Sequence, residues 1–194
     1  MSDLPALLRD IRACRLCEAQ LPLGPNPVLR ASASARILVI GQAPGTKVHE
    51  SGIPWNDASG IRLRSWLEMS RDIFYDESRV AIVPMGFCYP GRGKSGDLPP
   101  RPECATTWHQ RIWPLLPNIR LTLLIGHYAQ LHKLGDRRRK TLTDTVADFR
   151  DYAPEYFPLP HPSPRNQLWL KKNPWFDSDV IPALRARVRK ALND

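Results

Sequence analysis

The chain has 194 residues, 42% of them hydrophobic, and a formal net charge of +9. That length buries a sizeable core without disulfide staples and predicts a single domain over residues 1–194. No run of about 18 apolar residues is present, and the acidic, amphipathic start "MSDLPALLRD" lacks the order of a secretory leader, so a cytoplasmic protein with no membrane partner is expected, its excess cations suited to a polyanion such as nucleic acid.

In chain order, "ARILVIG" (35–41) is a continuous apolar run closed by glycine, as in a buried strand of a parallel sheet. "ASGIRLRSWLEMS" (58–70) reads as a helix, "VAIVPMGF" (80–87) as a second strand, and "ECATTWHQRIWPLL" (103–116) as another helix. "LTLLIG" (121–126) and "YFPLPHP" (156–162) supply third and fourth strands, with "HYAQLHKLG" (127–135) helical between them. The final "DVIPALRARVRKALND" (179–194) is an amphipathic helix with Val180, Leu184, Val188 and Leu192 on one face. Alternating strands and helices predict a three-layer αβα fold around a central, mostly parallel four-stranded sheet. Ligands of such sheets bind beyond the C-terminal ends of the strands. Three of the candidate strands run there into unusual sequences: "GQAPG", "CYPGRG" and "HPSPRN".

The four cysteines fall into two pairs, Cys14 with Cys17 in a C-x2-C arrangement and Cys88 with Cys104, which bracket fifteen residues rich in Gly and Pro. In a cytoplasmic protein that pattern points to a metal site before disulfides, and four thiolates suit either tetrahedral Zn or an iron–sulfur cluster; ordinary buried thiols are the alternative. The turn "GQAPG" places Gly41, Gln42 and Ala43 where backbone can approach a ligand closely. Trp55 offers a ring for stacking. Asp57 offers a carboxylate for activating water, although "NDAS" also has the form of a helix N-cap. "CYPGRGKSGDLPP" lacks the spacing of a phosphate-binding loop despite its glycines, so no nucleotide cofactor is expected.

"ILVIGQAPG", "GIPWNDASG" and "HPSPRN", in this order and spacing, resemble motifs of the uracil-DNA glycosylase superfamily, over roughly Cys14 to Trp169. The cysteine spacing resembles the iron–sulfur families 4 and 5 of that superfamily, and this implies a 4Fe-4S cluster on Cys14, Cys17, Cys88 and Cys104, with Zn as the alternative. "GIPWNDASG" is more similar to the second of these families and "GQAPG" to the first. The resemblance implies a DNA repair enzyme of uracil-DNA glycosylase type, hydrolysing the N-glycosidic bond in DNA as a monomer to leave an abasic site. Asp57 would orient water, and His161 would donate a hydrogen bond to the departing base. Gly41, Gln42, Ala43, Trp55 and Gly86 would line the base site. Ser163, Pro164, Arg165 and Asn166 would meet the DNA, with Leu168 as a further candidate wedge.

The chain also departs from the pattern. Where the resembled families carry an asparagine before the third cysteine, it has Pro84 and Met85, and Ala43 stands where the best-known uracil glycosylases place a carboxylate. Uracil, hypoxanthine and xanthine all remain open as the base. A non-catalytic module on the same fold, binding damaged or single-stranded DNA or sensing redox state through a cluster, is the second reading.

Overall fold

The computed structural model describes residues 3–94 and 96–193. Four parallel strands form its sheet: β1 (Ile37–Ile40), β2 (Val80–Ile82), and, beyond a two-stranded hairpin of β3 (Arg92–Gly93) and β4 (Gly96–Asp97), β5 (Leu121–Ile125) and β6 (Tyr156–Leu159). The order across the sheet is β2-β1-β5-β6, with Ile37 level with both Val80 and Leu121, and Thr122 level with Tyr156. Each predicted strand is present but shorter than its apolar run, because Gly41, Pro84, Gly126 and Pro160 end the ladders and turn the chain outward.

The helices are α1 (Leu4–Arg12), α2 (Thr46–Ser51), α3 (Ala58–Leu67), α4 (Arg71–Tyr75), α5 (Gln110–Ile112), α6 (His127–Leu134), α7 (Leu142–Ala147), α8 (Gln167–Lys172) and α9 (Ile181–Asn193). The helix predicted over 103–116 includes a π-helical turn at Ala105–His109, then α5, then a 3₁₀ turn at Trp113–Leu115. The predicted C-terminal helix likewise opens with a π-helical turn, Phe176–Val180, while its last residue, Asp194, lies outside the described residues. Strand alternation builds the layers. Ile37, Val39, Val80, Ile82, Leu121 and Leu123 point to one face, against Leu63, Phe74, Val146, Leu184 and Val188. Leu38, Ile40, Ala81, Val83 and Leu124 point to the other, against Leu7, Ile11, Trp108, Ile112 and Ala129. Buried apolar residues on both faces of parallel strands give the three-layer α/β fold expected.

Candidate active site

A cleft of about 510 Å³ opens at the C-terminal ends of the strands. Its wall includes Gly41, Gln42 and Ala43 after β1, Pro84 after β2, His161 after β6, Trp55 and Asp57 before α3, and Gly96, Asp97 and Leu98 from the β3–β4 hairpin. The turn before α3 is tightly specified. Trp55 adopts a left-handed conformation (φ 58°), uncommon for a residue with a side chain. Its carbonyl lies so close to Gly60 that a Cβ there would meet it at 1.7 Å, and a Cβ on Gly41 would meet the Trp55 ring at 2.7 Å. The two glycines flanking this tryptophan are therefore steric requirements. Tyr75 Oη donates to the Pro54 carbonyl at 2.8 Å, and Arg71 donates to Asn56 Oδ1 at 3.2 Å, fixing the turn from behind.

Asp57 is both the N-cap of α3 and part of the cleft wall. Its Oδ1 accepts from the Gly60 amide at 2.8 Å, capping α3, while the residue also lines the cleft. His161 is held by its own loop: the Ser163 amide donates to His161 Nδ1 at 3.2 Å, and the Asn166 side chain donates to the His161 carbonyl at 2.7 Å. An imidazole whose Nδ1 accepts an N–H carries its proton on Nε2 when neutral. Desolvation pushes the His161 pKa below the ordinary histidine value, offset only in part by the negative charge of Asp57. The Trp55 and His161 rings lie 5.5 Å apart, tilted by 33°.

Three of the four DNA-contact candidates, Ser163, Arg165 and Asn166, line the cleft, whereas Pro164 is exposed outside its wall. The Asn166 amide donates to the His161 carbonyl, and Leu168, the other candidate wedge, is 70% exposed. Gly86 is not among the lining residues; its amide donates to the Gln42 carbonyl at 2.8 Å and so shapes the "GQAPG" turn indirectly. Pro84 and Met85 offer the cleft no free side-chain polar group. The Pro84 carbonyl accepts from Nε2 of the buried His109 at 3.1 Å, leaving His109 Nδ1 without a partner. The Gln42 amide lies against Gly126, where a Cβ would come within 2.9 Å of Nε2.

Sequence reasoning missed Arg62, which donates to the Ser163 carbonyl at 3.0 Å and to Gln167 Oε1 at 2.9 Å, tying the histidine loop to α3. It also missed the β3–β4 hairpin as a cleft wall. A signal existed there: Gly91 and Gly96, at φ 105° and 148°, bracket a turn that only glycine closes readily.

The four cysteines converge on a second, small pocket of about 20 Å³, shared with Leu16, Leu21, Phe87 and Arg101. As they stand, no three His, Cys, Asp or Glu among the described residues are gathered into a group that holds a metal ion. The donor set nonetheless fits a thiolate-bound metal: four sulfurs in an otherwise largely apolar pocket, with the Phe87 amide donating to Cys104 Sγ at 3.4 Å. Burial pushes the thiol pKa values up, to about 11 for Cys88 and about 12 for Cys104, with mutual repulsion of the sulfurs adding to it. A bound metal would supply the positive charge that deprotonates them. The loop from Pro84 to Cys88 joins this pocket to the cleft.

No helix is long and apolar enough to cross a membrane among the described residues. A family model described as the uracil DNA glycosylase superfamily matches residues 30–185. That span contains the sheet, the cleft with Trp55, Asp57 and His161, and two of the four cysteines, and the chain belongs to the uracil DNA glycosylase superfamily.

Proposed function

We propose that the protein is a monofunctional glycosylase that hydrolyses the N-glycosidic bond of uracil, or of another deaminated base, in DNA and leaves an abasic site. The observation that carries this reading is His161, fixed as the Nε2–H form in the wall of a cleft that also holds Asp57 and Trp55. As the C1′–N bond breaks, its electron pair leaves with the base. The Nε2–H of His161 donates to the base carbonyl that gathers this charge. A neutral donor avoids the cost of a buried imidazolium. Asp57, with Oδ1 engaged by Gly60, keeps Oδ2 for a water molecule. It accepts that water's proton as the oxygen bonds to C1′, and its charge favours the cationic sugar of the transition state.

The extruded base stacks on Trp55, and its edge is read by the Gln42 amide and the backbone of the 41–45 turn, which line the cleft beside it. An amide presents both a donor and an acceptor, so Gln42 suits more than one deaminated base. Ser163 and Arg165 contact the DNA backbone and Leu168 enters the vacated stack. Cys14, Cys17, Cys88 and Cys104 hold a 4Fe-4S cluster, Zn being the alternative, which when bound fastens the N-terminal segment to the loop behind the cleft.

The test is a panel of oligonucleotides carrying one uracil, hypoxanthine or xanthine, single- and double-stranded, assayed for free base and for abasic product without direct strand cleavage. Release from at least one member is expected. No release from any of them at excess protein would leave the DNA-binding module as the better reading.

A further inference from the structure

Among the described residues Arg15, Arg101, Arg111, Arg139, Arg150, Arg185 and Arg189 each have a carboxylate within 4 Å. Three others are gathered without one: the guanidinium carbons of Arg30, Arg64 and Arg71 lie 5.4, 5.7 and 5.0 Å from the centre of the Tyr75 ring. Arg64 and Arg71 have hydrogen bonds to the Trp55 turn, but to neutral oxygens, the Trp55 carbonyl and Asn56 Oδ1. The ring face offsets part of the repulsion among three cations and cannot neutralise it. Tyr75 supplies no counter-charge either, because burial pushes its pKa up and the hydroxyl donates to Pro54.

Beside this group runs an open groove of about 380 Å³, walled by Arg12, Asn26, Arg30 and Gly52, with Glu77 as its carboxylate. Glu77 is in no ion pair with either arginine among the described residues. Val28 contributes to the walls of both this groove and the cleft, so the two adjoin.

We propose that this groove is an anion subsite for DNA-backbone phosphates next to the extruded nucleotide, with Arg30 and Arg12 as the contacting cations and Arg64 and Arg71 adding to the field behind them. Arginine's planar fork suits a phosphodiester, and each neutralised phosphate releases condensed counterions. This inference rests on the DNA-glycosylase reading for its ligand, but binding alone tests it.

The experiment is fluorescence anisotropy with a labelled duplex carrying a non-hydrolysable abasic-site analogue, titrated at several salt concentrations with wild type, Arg12→Gln, Arg30→Gln, the double variant and Arg30→Lys. Each lost phosphate contact is expected to flatten the slope of log affinity against log salt by roughly 0.9, so the double variant should be flatter by about 1.8. Arg30→Lys should keep the wild-type slope, since the charge remains. Unchanged slopes in the folded Gln variants, or equal losses in Arg30→Lys and Arg30→Gln, would overturn the subsite while leaving the glycosylase reading intact. Failure of the wild type to bind the analogue-bearing strand at all, as duplex or single-stranded, would overturn both.

Discussion

Replacing Asp57 separates two tasks that one carboxylate performs. Its Oδ1 caps α3 through the Gly60 amide at 2.8 Å, and the residue lines the cleft where water must be oriented. Asparagine caps a helix about as well as aspartate, whereas alanine forfeits the bond at about 1 kcal/mol. Asp57→Asn should therefore unfold in urea within about 0.5 kcal/mol of wild type, the small deficit reflecting the lost charge at the helix N-terminus. Asp57→Ala should be less stable than Asp57→Asn by about 1 kcal/mol, or roughly 2–4 °C in Tm for a chain of this size. Turnover should fall alike in both, on the order of 10²–10⁴-fold, because neither carries an acceptor for the water's proton. Single-turnover base release and equilibrium urea unfolding, measured on the same preparations, read the two effects apart. Near-full turnover in Asp57→Asn would remove the acid from the mechanism, and equal stability of the two variants would remove the cap.

Gly60→Ala should cost at least about 3 kcal/mol and alter tryptophan fluorescence, since the new Cβ collides with the Trp55 carbonyl; wild-type stability in that variant would contradict the described turn. His109, with its pKa pushed down to about 4 mainly by burial, resists protonation in the folded state while the unfolded chain takes a proton near 6.5. Its contribution to stability is whole above pH 6.5 and is lost as pH falls towards 4, about 3 kcal/mol in total. His109→Gln should lack that part of the acid destabilisation in urea titrations, and a pH dependence identical to wild type would refute the assignment. Protein purified without oxygen should contain iron and acid-labile sulfide and absorb broadly in the visible, and Cys88→Ser should lose both; colourless protein with stoichiometric zinc would favour the alternative.

The sheet was legible because β1, β2, β5 and β6 are short, nearly continuous apolar runs closed by Gly or Pro, the pattern of buried parallel strands. The cleft followed from it, as three of the four strands end in sequences with chemical character. What stayed hidden depends on contacts between distant segments. Nothing in "GIRLR" says that Arg62 reaches across to Ser163, and nothing around Tyr75 says that three arginines meet on its ring. Asn166 read as a DNA contact because of its place in "HPSPRN"; the structure adds that its amide also donates to the His161 carbonyl, a local bond that sequence could not distinguish from an outward one. The helix at 103–116 was found by its apolar spacing, but its π-helical start after Cys104 carries His109 to the Pro84 carbonyl, a consequence of pitch that periodicity does not resolve.

The central claim is that a neutral His161 stabilises a departing base, and the most direct measurement is single-turnover release of uracil from a labelled oligonucleotide by wild type and His161→Ala side by side. The account predicts release by wild type and a loss on the order of 10²–10³-fold in the variant, with DNA affinity nearly unchanged. Release at equal rates by both proteins would contradict it.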